Sequence, residues 1–182
     1  WPHRAAMTEA ELRRLSPDAI LLQEVLQDET LPNQAITLAQ RLGYHAFFVS
    51  VDPVDRSRRY GNAILTREPA TSRGFRRLQP DNAYRIAGWV RTTVRGHAVN
   101  LYVVHLDFED RSGATRARQV ADLLSFVDAT RGAAPVVIGG DVHTFYAADI
   151  HARAGDPSSP VVAPEFIGSS ITSLGLQQRQ VD

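Results

Sequence analysis

The sequence predicts a fold of the α/β (α+β) class, in which helices cover a mixed sheet. Apolar runs of strand length alternate with segments that have helical periodicity. Short turns join many of the neighbouring strands, which argues against a purely parallel repeat. The 182 residues, 43% hydrophobic and 22% charged, are enough for one globular domain with a sizeable core.

The first elements along the chain are a helix, a strand and a second helix. Thr8 and Glu11 have the spacing of a capping box, which predicts a short helix beginning at Thr8. The apolar run "PDAILLQEV" begins at Pro17 and predicts a buried strand. The segment "LPNQAITLAQRLGY" carries apolar residues at helical intervals and predicts a helix that ends at Gly43.

The middle of the chain is dominated by strands. "HAFFVSV" and "NAILTR" are predicted strands on either side of the polar loop "DPVDRSRRYG", which contains three arginines. "YRIAGWVRTTVRGHAVNLYVVHLDF" predicts two long strands joined at residues 95–97. A helix over "GATRARQVADLLSFVDATRG" and the strand "APVVIGGD" follow. The helix is predicted to place one apolar face on the core, formed by Ala117, Val120, Leu123, Leu124 and Val127.

The composition changes after Asp141. Residues 142–182 are rich in Gly, Pro and Ser and show little periodicity, so they are predicted to be mostly ordered loop with one short strand, "PVVAPEF". The predicted domains are therefore a core of residues 1–141 and a tail of residues 142–182.

Charge and composition exclude several classes of protein. The formal net charge is zero, which predicts no strong general attraction to nucleic acid or membrane. There is no cysteine, so disulfides and thiolate zinc sites are excluded. No apolar run is long enough to span a bilayer. We expect a monomer. The chain begins at Trp1 rather than Met, which suggests a fragment and leaves a cytoplasmic or a secreted or periplasmic location open.

Three polar residues follow predicted core strands: Glu24 after "AILLQ", His105 after "NLYVV" and Asp141 after "VVIGG". Side chains at strand ends are held rigidly and yet meet solvent, so they can converge on one site. A carboxylate such as Glu24 suits a hard cation such as Mg²⁺. Asp141 and His105 can orient water and donate to phosphoryl oxygens.

Four motifs with matching order and spacing resemble the endonuclease/exonuclease/phosphatase superfamily. They are "PDAILLQEV", "GNAILTR", "VVHLDF" followed by "RARQVADLL", and "PVVIGGD". The resemblance covers residues 6–141 and implies a four-layer α/β/β/α sandwich of two sheets flanked by helices.

The resemblance also implies roles for individual residues and a metal. Glu24 would bind the catalytic Mg²⁺, with Mn²⁺ or Ca²⁺ as alternatives, and His105 would contact the scissile phosphate. Asp141 would act on the attacking water and is also a candidate metal ligand. Arg85 in "YRIAGWV" and Asn62 in "GNAILTR" are candidate substrate-binding residues. The expected partner is a phosphate ester, which could be part of a nucleic acid or a phospholipid head group.

The sequence departs from that superfamily at both ends. Its usual first strand, which carries an Asn near the metal, is absent, and so is the final Ser-Asp-His-type motif. The superfamily usually continues its last matched motif as "GDFN", and His143 stands at the position of that Asn. The predicted sandwich is therefore incomplete at both ends.

A second resemblance covers residues 137–175. "GGDVHTFYAADI" and "DPSSPVVAPEFIGSSITS" resemble the PhoD-like alkaline phosphatases, which are calcineurin-like metallophosphatases with two metals. In that family Asp141 and His143 would be ligands of Fe, with Ca as a further metal, and their chemistry also suits Mn or Zn. Pro164 departs from the Thr that this family more usually has.

Because "VVIGGD" fits both families, we expect a chimera with its seam at residues 136–141. A single divergent superfamily member is the alternative. Either parentage predicts a metal-dependent hydrolase of phosphodiesters or phosphomonoesters, in which Asp141 and a Glu24-bound metal organise water attack. The alternatives are a PhoD-like phosphatase and a fragment with little or no activity.

Overall fold

The structure is a computed structural model that describes residues 2–140, 146–151, 153 and 156–167. The chain divides into two compact units, residues 1–140 and residues 141–182. Asp141 and His143 lie outside the described residues, so their predicted roles stay predictions. The assignment of residues 142–182 to a PhoD-like tail also stays a prediction.

The first unit contains three α-helices and seven strands among its described residues. The helices are α1 (Pro2–Leu15), α2 (Gln34–Leu42) and α3 (Ala114–Thr130). A short 3₁₀ turn covers Asp81–Ala83. The strands are β1 (Ala19–Gln27), β2 (His45–Ser50), β3 (Arg59–Thr66), β4 (Ser72–Leu78), β5 (Arg85–Val94), β6 (His97–Val103) and β7 (Val136–Gly139).

These strands form two sheets. The first has the order β1-β3-β2 and is antiparallel throughout. The second has the order β4-β5-β6-β7, in which only the pair β6 and β7 is parallel. None of the helices within the described ranges is both long and apolar enough to cross a membrane.

The sheets and helices pack in layers through three apolar clusters. One joins α1 and α2 to the first sheet, with Leu12 and Leu38 against Leu65. A second lies between the two sheets and includes Ile64 and Val90. The third joins the second sheet to α3. The order of layers is therefore helix, sheet, sheet, helix, which confirms the predicted α/β/β/α sandwich. The third cluster contains Ala87, Trp89, Tyr102, Leu123, Phe126 and Val127.

Helix α1 begins earlier than the sequence indicated. Thr8 lies in the middle of Pro2–Leu15 and is buried, so the predicted capping box at Thr8 is wrong. Glu11 instead forms an ion pair with Arg14 on the helix surface. The segment before Thr8 contains two alanines and no glycine, and its only proline is at the first helical position, where proline is tolerated.

Helix α2 has both of the ends that its sequence favours. The side chain of Asn33 accepts hydrogen bonds from the backbone N–H groups of Ala35 and Ile36, both at 3.1 Å. Gly43 follows the helix in the left-handed conformation, with φ of 76°. Because glycine has no Cβ, it adopts this conformation without strain, and the predicted end at Gly43 is confirmed.

Helix α3 has the predicted position but presents a different face to the core. Leu123 and Val127 are buried as predicted, but Val120 and Leu124 are exposed. Their place is taken by Gln119, which is fully buried. Ala117, the remaining member of the predicted face, is also exposed. The inner face is therefore rotated by about one residue from the predicted one.

The hairpin of β5 and β6 is confirmed, with Val94 paired with His97 across the turn. Strand β4 was missed by the sequence analysis. It lies at the edge of the second sheet and is mostly exposed, so it lacks the apolar alternation that identifies a strand.

The second unit contains β8 (Tyr146–His151) and β9 (Val161–Ile167) within its described residues. The two strands pair in antiparallel fashion, with Tyr146 opposite Ile167. The prediction of β9 is confirmed, but the prediction of a single strand in this region is wrong. Alanine-rich β8 has a weak strand signal, because alanine is depleted in strands.

Candidate functional site

Two of the predicted site residues, Arg85 and His105, lie at one edge of the second sheet. Because β6 and β7 are parallel, their carboxyl ends lie at the same edge, and His105 follows β6 there. Gly88 is paired with Val103, so antiparallel β5 begins at this edge with Arg85. The second sheet therefore brings Arg85 and His105 to one edge.

Asn62 connects the first sheet to the same edge. It is buried in β3, and its Nδ2 donates a hydrogen bond of 3.0 Å to the backbone oxygen of Ile86, the residue after Arg85. A Cβ on Gly139 would lie 2.5 Å from Cδ1 of Leu21, so β7 and β1 also pack closely. The amide nitrogen of Asn62 thus joins the two sheets beside the candidate site.

Glu24 lies inside β1, in an irregular part of the strand, so the prediction that it follows the end of a strand is wrong: the pairing with β3 resumes after it at Val25. The pairing with β3 shifts between Leu22 and Val25, and Glu24 has a φ of 57°. A non-glycine residue with positive φ is uncommon, and β-bulges are frequent beside active sites, where they redirect a side chain. The side chain of Glu24 is exposed, and its Oε1 accepts a hydrogen bond of 2.7 Å from the hydroxyl of Tyr60.

Asp52 holds Tyr60 in place. Its Oδ2 accepts a hydrogen bond of 2.8 Å from the backbone N–H of Tyr60, and its Oδ1 accepts one from the hydroxyl of Tyr84. Burial raises the pKa of Asp52, but the bonds from Tyr84 and Tyr60 lower it more, so this pKa lies below its ordinary value of 3.8. Burial and the bond to Asp52 both raise the pKa of Tyr84. Asp52 is therefore held as an anion.

Phe108 contacts both His105 and Arg85. Its ring is stacked against the imidazole of His105, with centroids 6.1 Å apart and an interplanar angle of 18°. The Cζ atom of Arg85 lies 5.3 Å from the centroid of the same ring. The Nε of Arg85 is buried and has no hydrogen-bond partner among the described residues. A cation and an imidazole thus share one aromatic ring, which is itself 66% exposed.

The loop that carries Phe108 is fixed by two aspartates and a glutamine. The backbone N–H of Asp107 donates to Oε1 of Gln119 at 2.8 Å, and Oδ1 of Asp107 accepts from the backbone N–H of Asp110 at 2.9 Å. The hydrogen bonds from Ser112 and from the backbone N–H of Thr115 hold the pKa of Asp110 well below its usual range. These bonds fix the loop at the start of α3.

The candidate site offers one suitable ligand for a divalent cation, the carboxylate of Glu24. Glu24 forms no ion pair with any described arginine or histidine, so its carboxylate is available to a hard cation. Within the described ranges, however, no group of three or more His, Asp or Glu side chains could hold one metal ion. A Mg²⁺ ion here would take one protein carboxylate from Glu24 and keep several waters, which Mg²⁺ usually does.

The sequence analysis missed Tyr60, Asp52 and Phe108. Phe108 carried a usable signal, since it is an aromatic residue in a polar loop three positions after a candidate catalytic histidine. Tyr60 and Asp52 carried none, because their roles depend on the pairing of β1, β2 and β3.

Comparison with known proteins gives a family match and a set of similar folds. The model of the Endonuclease/Exonuclease/phosphatase family matches residues 1–142. No curated protein matches the chain.

Three solved structures illustrate the similarity of the fold. The human Nocturnin catalytic domain with bound sulfate anion is 23% identical with a TM-score of 0.62, and the match covers 78% of this chain and 56% of that one. A family protein from Leptotrichia buccalis is 15% identical with a TM-score of 0.64, over 79% of this chain and 62% of that one. D. rerio TDP2 complexed with single strand DNA product is 19% identical with a TM-score of 0.60, over 76% and 52%. The chain thus spans less than two thirds of each of these structures.

Proposed function

The chain belongs to the endonuclease/exonuclease/phosphatase family, whose members are hydrolases acting on phosphoesters, and we propose that it is a metal-dependent phosphoesterase. The observation that carries this proposal is that the side chains of Arg85 and His105 both contact the ring of Phe108. A guanidinium and an imidazole held together at a sheet edge fit the charge of a phosphoryl group.

Each residue has a proposed role. Glu24 holds Mg²⁺, for which Mn²⁺ or Ca²⁺ could substitute. Arg85 and His105 donate hydrogen bonds to the non-bridging phosphoryl oxygens, where negative charge develops in the transition state. Asp141 takes the proton of the attacking water. When bound, the metal neutralises phosphoryl charge and lowers the pKa of coordinated water.

Asn62 has a different proposed role from direct substrate contact. Its Nδ2 is already engaged with the backbone oxygen of Ile86. We therefore expect it to fix the start of β5 and hence the position of Arg85, in addition to any contact that its oxygen makes with substrate. The proposed substrate is a phosphodiester or a phosphomonoester in a nucleic acid or a phospholipid head group. The sulfate in nocturnin and the DNA product in TDP2 support an anionic ester.

A PhoD-like phosphatase is the second candidate. It is favoured by the position of a boundary: the family match ends at residue 142, and the two compact units divide after Gly140. Both points lie beside the expected seam of a chimera. In this proposal Asp141 and His143 bind Fe or Ca, and the substrate is a phosphomonoester or diester. An inactive fragment is the third candidate.

Two dye substrates separate these candidates. The chain is assayed with bis(p-nitrophenyl) phosphate and with p-nitrophenyl phosphate, with Mg²⁺, Mn²⁺ or Ca²⁺ added. We expect turnover of the diester that falls on the order of 100- to 1,000-fold in Glu24→Gln. Glu29→Gln is the matched control, because Glu29 is an exposed glutamate just after β1. This substitution should leave turnover of the diester unchanged.

The other outcomes point elsewhere. Turnover of the monoester that is insensitive to Glu24→Gln and lost in His143→Ala would favour the PhoD-like phosphatase. No turnover of either dye with any of the three metals, by a chain that is folded, would favour the inactive fragment.

A further inference from the structure

The backbone of Glu24 is held in a conformation that glutamate rarely adopts. Its φ of 57° lies in the left-handed region, at the shift in the pairing of β1 with β3. Residues in such conformations persist where their surroundings fix them, and they are concentrated at functional sites. The side chains around Glu24 must therefore hold it in this conformation.

Tyr60 contacts the Glu24 carboxylate directly. Its hydroxyl donates to Oε1 at 2.7 Å, and none of the described hydrogen bonds uses Oε2. A donor on one oxygen restricts the rotation of the carboxylate and leaves the other oxygen for a cation. Groups that hydrogen-bond a metal ligand set its orientation in this way.

The backbone of Tyr60 is itself held on both sides. Its N–H donates to Oδ2 of Asp52 at 2.8 Å, and its carbonyl oxygen accepts from the hydroxyl of Ser50 at 2.6 Å. The same hydroxyl also lies 3.1 Å from Oδ2 of Asp52. Tyr84 donates to the second oxygen of Asp52. Asp52 is thus the point at which the end of β2, the start of β3 and the turn before β5 meet.

We propose that Tyr60 and Asp52 are positioning residues that hold the Glu24 carboxylate in the orientation it needs to bind a divalent cation. This inference rests on the proposed function, because it takes Glu24 as the metal ligand. Asp52 holds the backbone of Tyr60, and the hydroxyl of Tyr60 holds the carboxylate of Glu24. In this proposal neither Tyr60 nor Asp52 contacts the substrate.

The test measures metal affinity, with Mn²⁺ alone as the probe, because free and bound Mn²⁺ are distinguished by electron paramagnetic resonance. Glu24→Gln first establishes that binding depends on Glu24. We expect Tyr60→Phe to weaken Mn²⁺ binding about 10-fold, since loss of such a partner commonly costs 10- to 100-fold. Asp52→Ala should weaken it as well, and Asp52→Asn, which keeps one acceptor oxygen, should lie between Asp52→Ala and the wild type.

Tyr44→Phe is the matched control. The hydroxyl of Tyr44 also makes a hydrogen bond, to the backbone oxygen of Pro17, but at the start of β1 rather than beside Glu24. It should leave Mn²⁺ affinity unchanged. A melting curve for each variant separates loss of fold from loss of affinity.

The outcomes distinguish this inference from the proposed function. If the wild type binds Mn²⁺ through Glu24 and Tyr60→Phe binds it equally well, the positioning role is wrong and the proposed function stands. A lower melting temperature in Tyr60→Phe with unchanged affinity would likewise assign Tyr60 a purely structural role. If Mn²⁺ binding does not depend on Glu24, the proposed metal site fails and the inference fails with it.

Discussion

The ring of Phe108 lies parallel to the imidazole of His105 within 18°, and the guanidinium of Arg85 lies over the same ring. The two polar groups come from different strands, since Arg85 begins β5 and His105 follows β6. Phe108 therefore sets the spacing between two groups that we expect to contact one phosphate. His105 is buried, and Phe108 is the largely exposed member of the three.

Replacing Phe108 with Leu should lower kcat/KM for the diester substrate about 2- to 5-fold. An exposed cation–π contact contributes roughly 0.5–1 kcal/mol, and its loss leaves Arg85 free to move. Phe108→Tyr keeps the aromatic face and should retain nearly full activity. Steady-state kinetics with bis(p-nitrophenyl) phosphate measures both changes.

Phe75→Leu is the control for this experiment. Phe75 is also a largely exposed phenylalanine, but it lies on β4 and contacts neither His105 nor Arg85 through its ring. Its substitution should not change kcat/KM. Equal effects of Phe75→Leu and Phe108→Leu would show that Phe108 has no special role.

Asn62→Ala should destabilise the protein and also raise KM. The substitution removes a buried hydrogen bond to the Ile86 oxygen and should cost about 1–3 kcal/mol of unfolding free energy. Since Ile86 follows Arg85, the start of β5 should become less well fixed. Urea unfolding gives the free energy, and kinetics with the diester dye gives KM.

Asn100→Ala provides the comparison. Asn100 is also buried, in the middle of β6, where its Oδ1 accepts from Trp89 and Arg91. Its Nδ2 donates to the backbone oxygens of Arg131, Ala134 and Pro135, which precede β7 and lie away from the carboxyl ends of the two strands. We expect a similar loss of stability with KM unchanged. If KM is unchanged in Asn62→Ala as well, Asn62 acts on stability alone.

The parts of the fold that the sequence predicted are those with strong local signals. Strands β1, β3 and β6 each contain a short apolar run, "AILL", "AIL" and "LYV", and α2 is flanked by its own cap residues. Elements whose character depends on tertiary contacts were not predictable. The inner face of α3 is the example, because the burial of Gln119 follows from its hydrogen bond to the Asp107 backbone, a contact twelve residues away in sequence.

The sequence indicated candidate residues for the site but not their arrangement. Glu24 and His105 each follow an apolar run in the sequence and Arg85 precedes one, and these are local patterns. The positive φ of Glu24 and its bond to Tyr60 depend on a bulge in the pairing of β1 with β3. Sequence periodicity does not reveal such a bulge, because the extra residue has no distinctive residue type or spacing of its own.

Gly61→Ala should be strongly destabilising. A Cβ on Gly61 would lie 1.9 Å from the backbone oxygen of Val49, so β2 and β3 would have to move apart next to Tyr60. Overpacking of this kind commonly costs about 1–3 kcal/mol or more. Urea unfolding of the variant measures the loss. A cost below roughly 0.5 kcal/mol, within the range of ordinary surface changes, would contradict the close approach of the strands.

Gly74→Ala is the matched control on another strand. Its Cβ would meet the Trp89 ring at 3.5 Å, which is an ordinary van der Waals contact. Because alanine restricts the unfolded chain more than glycine does, we expect no loss of stability and a gain of up to about 1 kcal/mol.

Asp52→Asn should lose less stability in acid than the wild type. Asp52 has a pKa below 3.8 in the folded protein, although burial alone would raise it, because Tyr84 and Tyr60 donate to its carboxylate. A depressed folded pKa stabilises the protein at pH values above the unfolded pKa, and this contribution is lost as the pH falls through the folded pKa.

The difference in unfolding free energy between the wild type and Asp52→Asn should therefore be constant from about pH 7 to about pH 5 and shrink steadily below about pH 4. Asp28 and Asp110 also have lowered pKa values, but they titrate in both proteins and cancel in the difference. Urea unfolding at a series of pH values measures it. A difference that stays constant down to about pH 2.5 would mean that the Asp52 carboxylate gains nothing from Tyr84 and Tyr60.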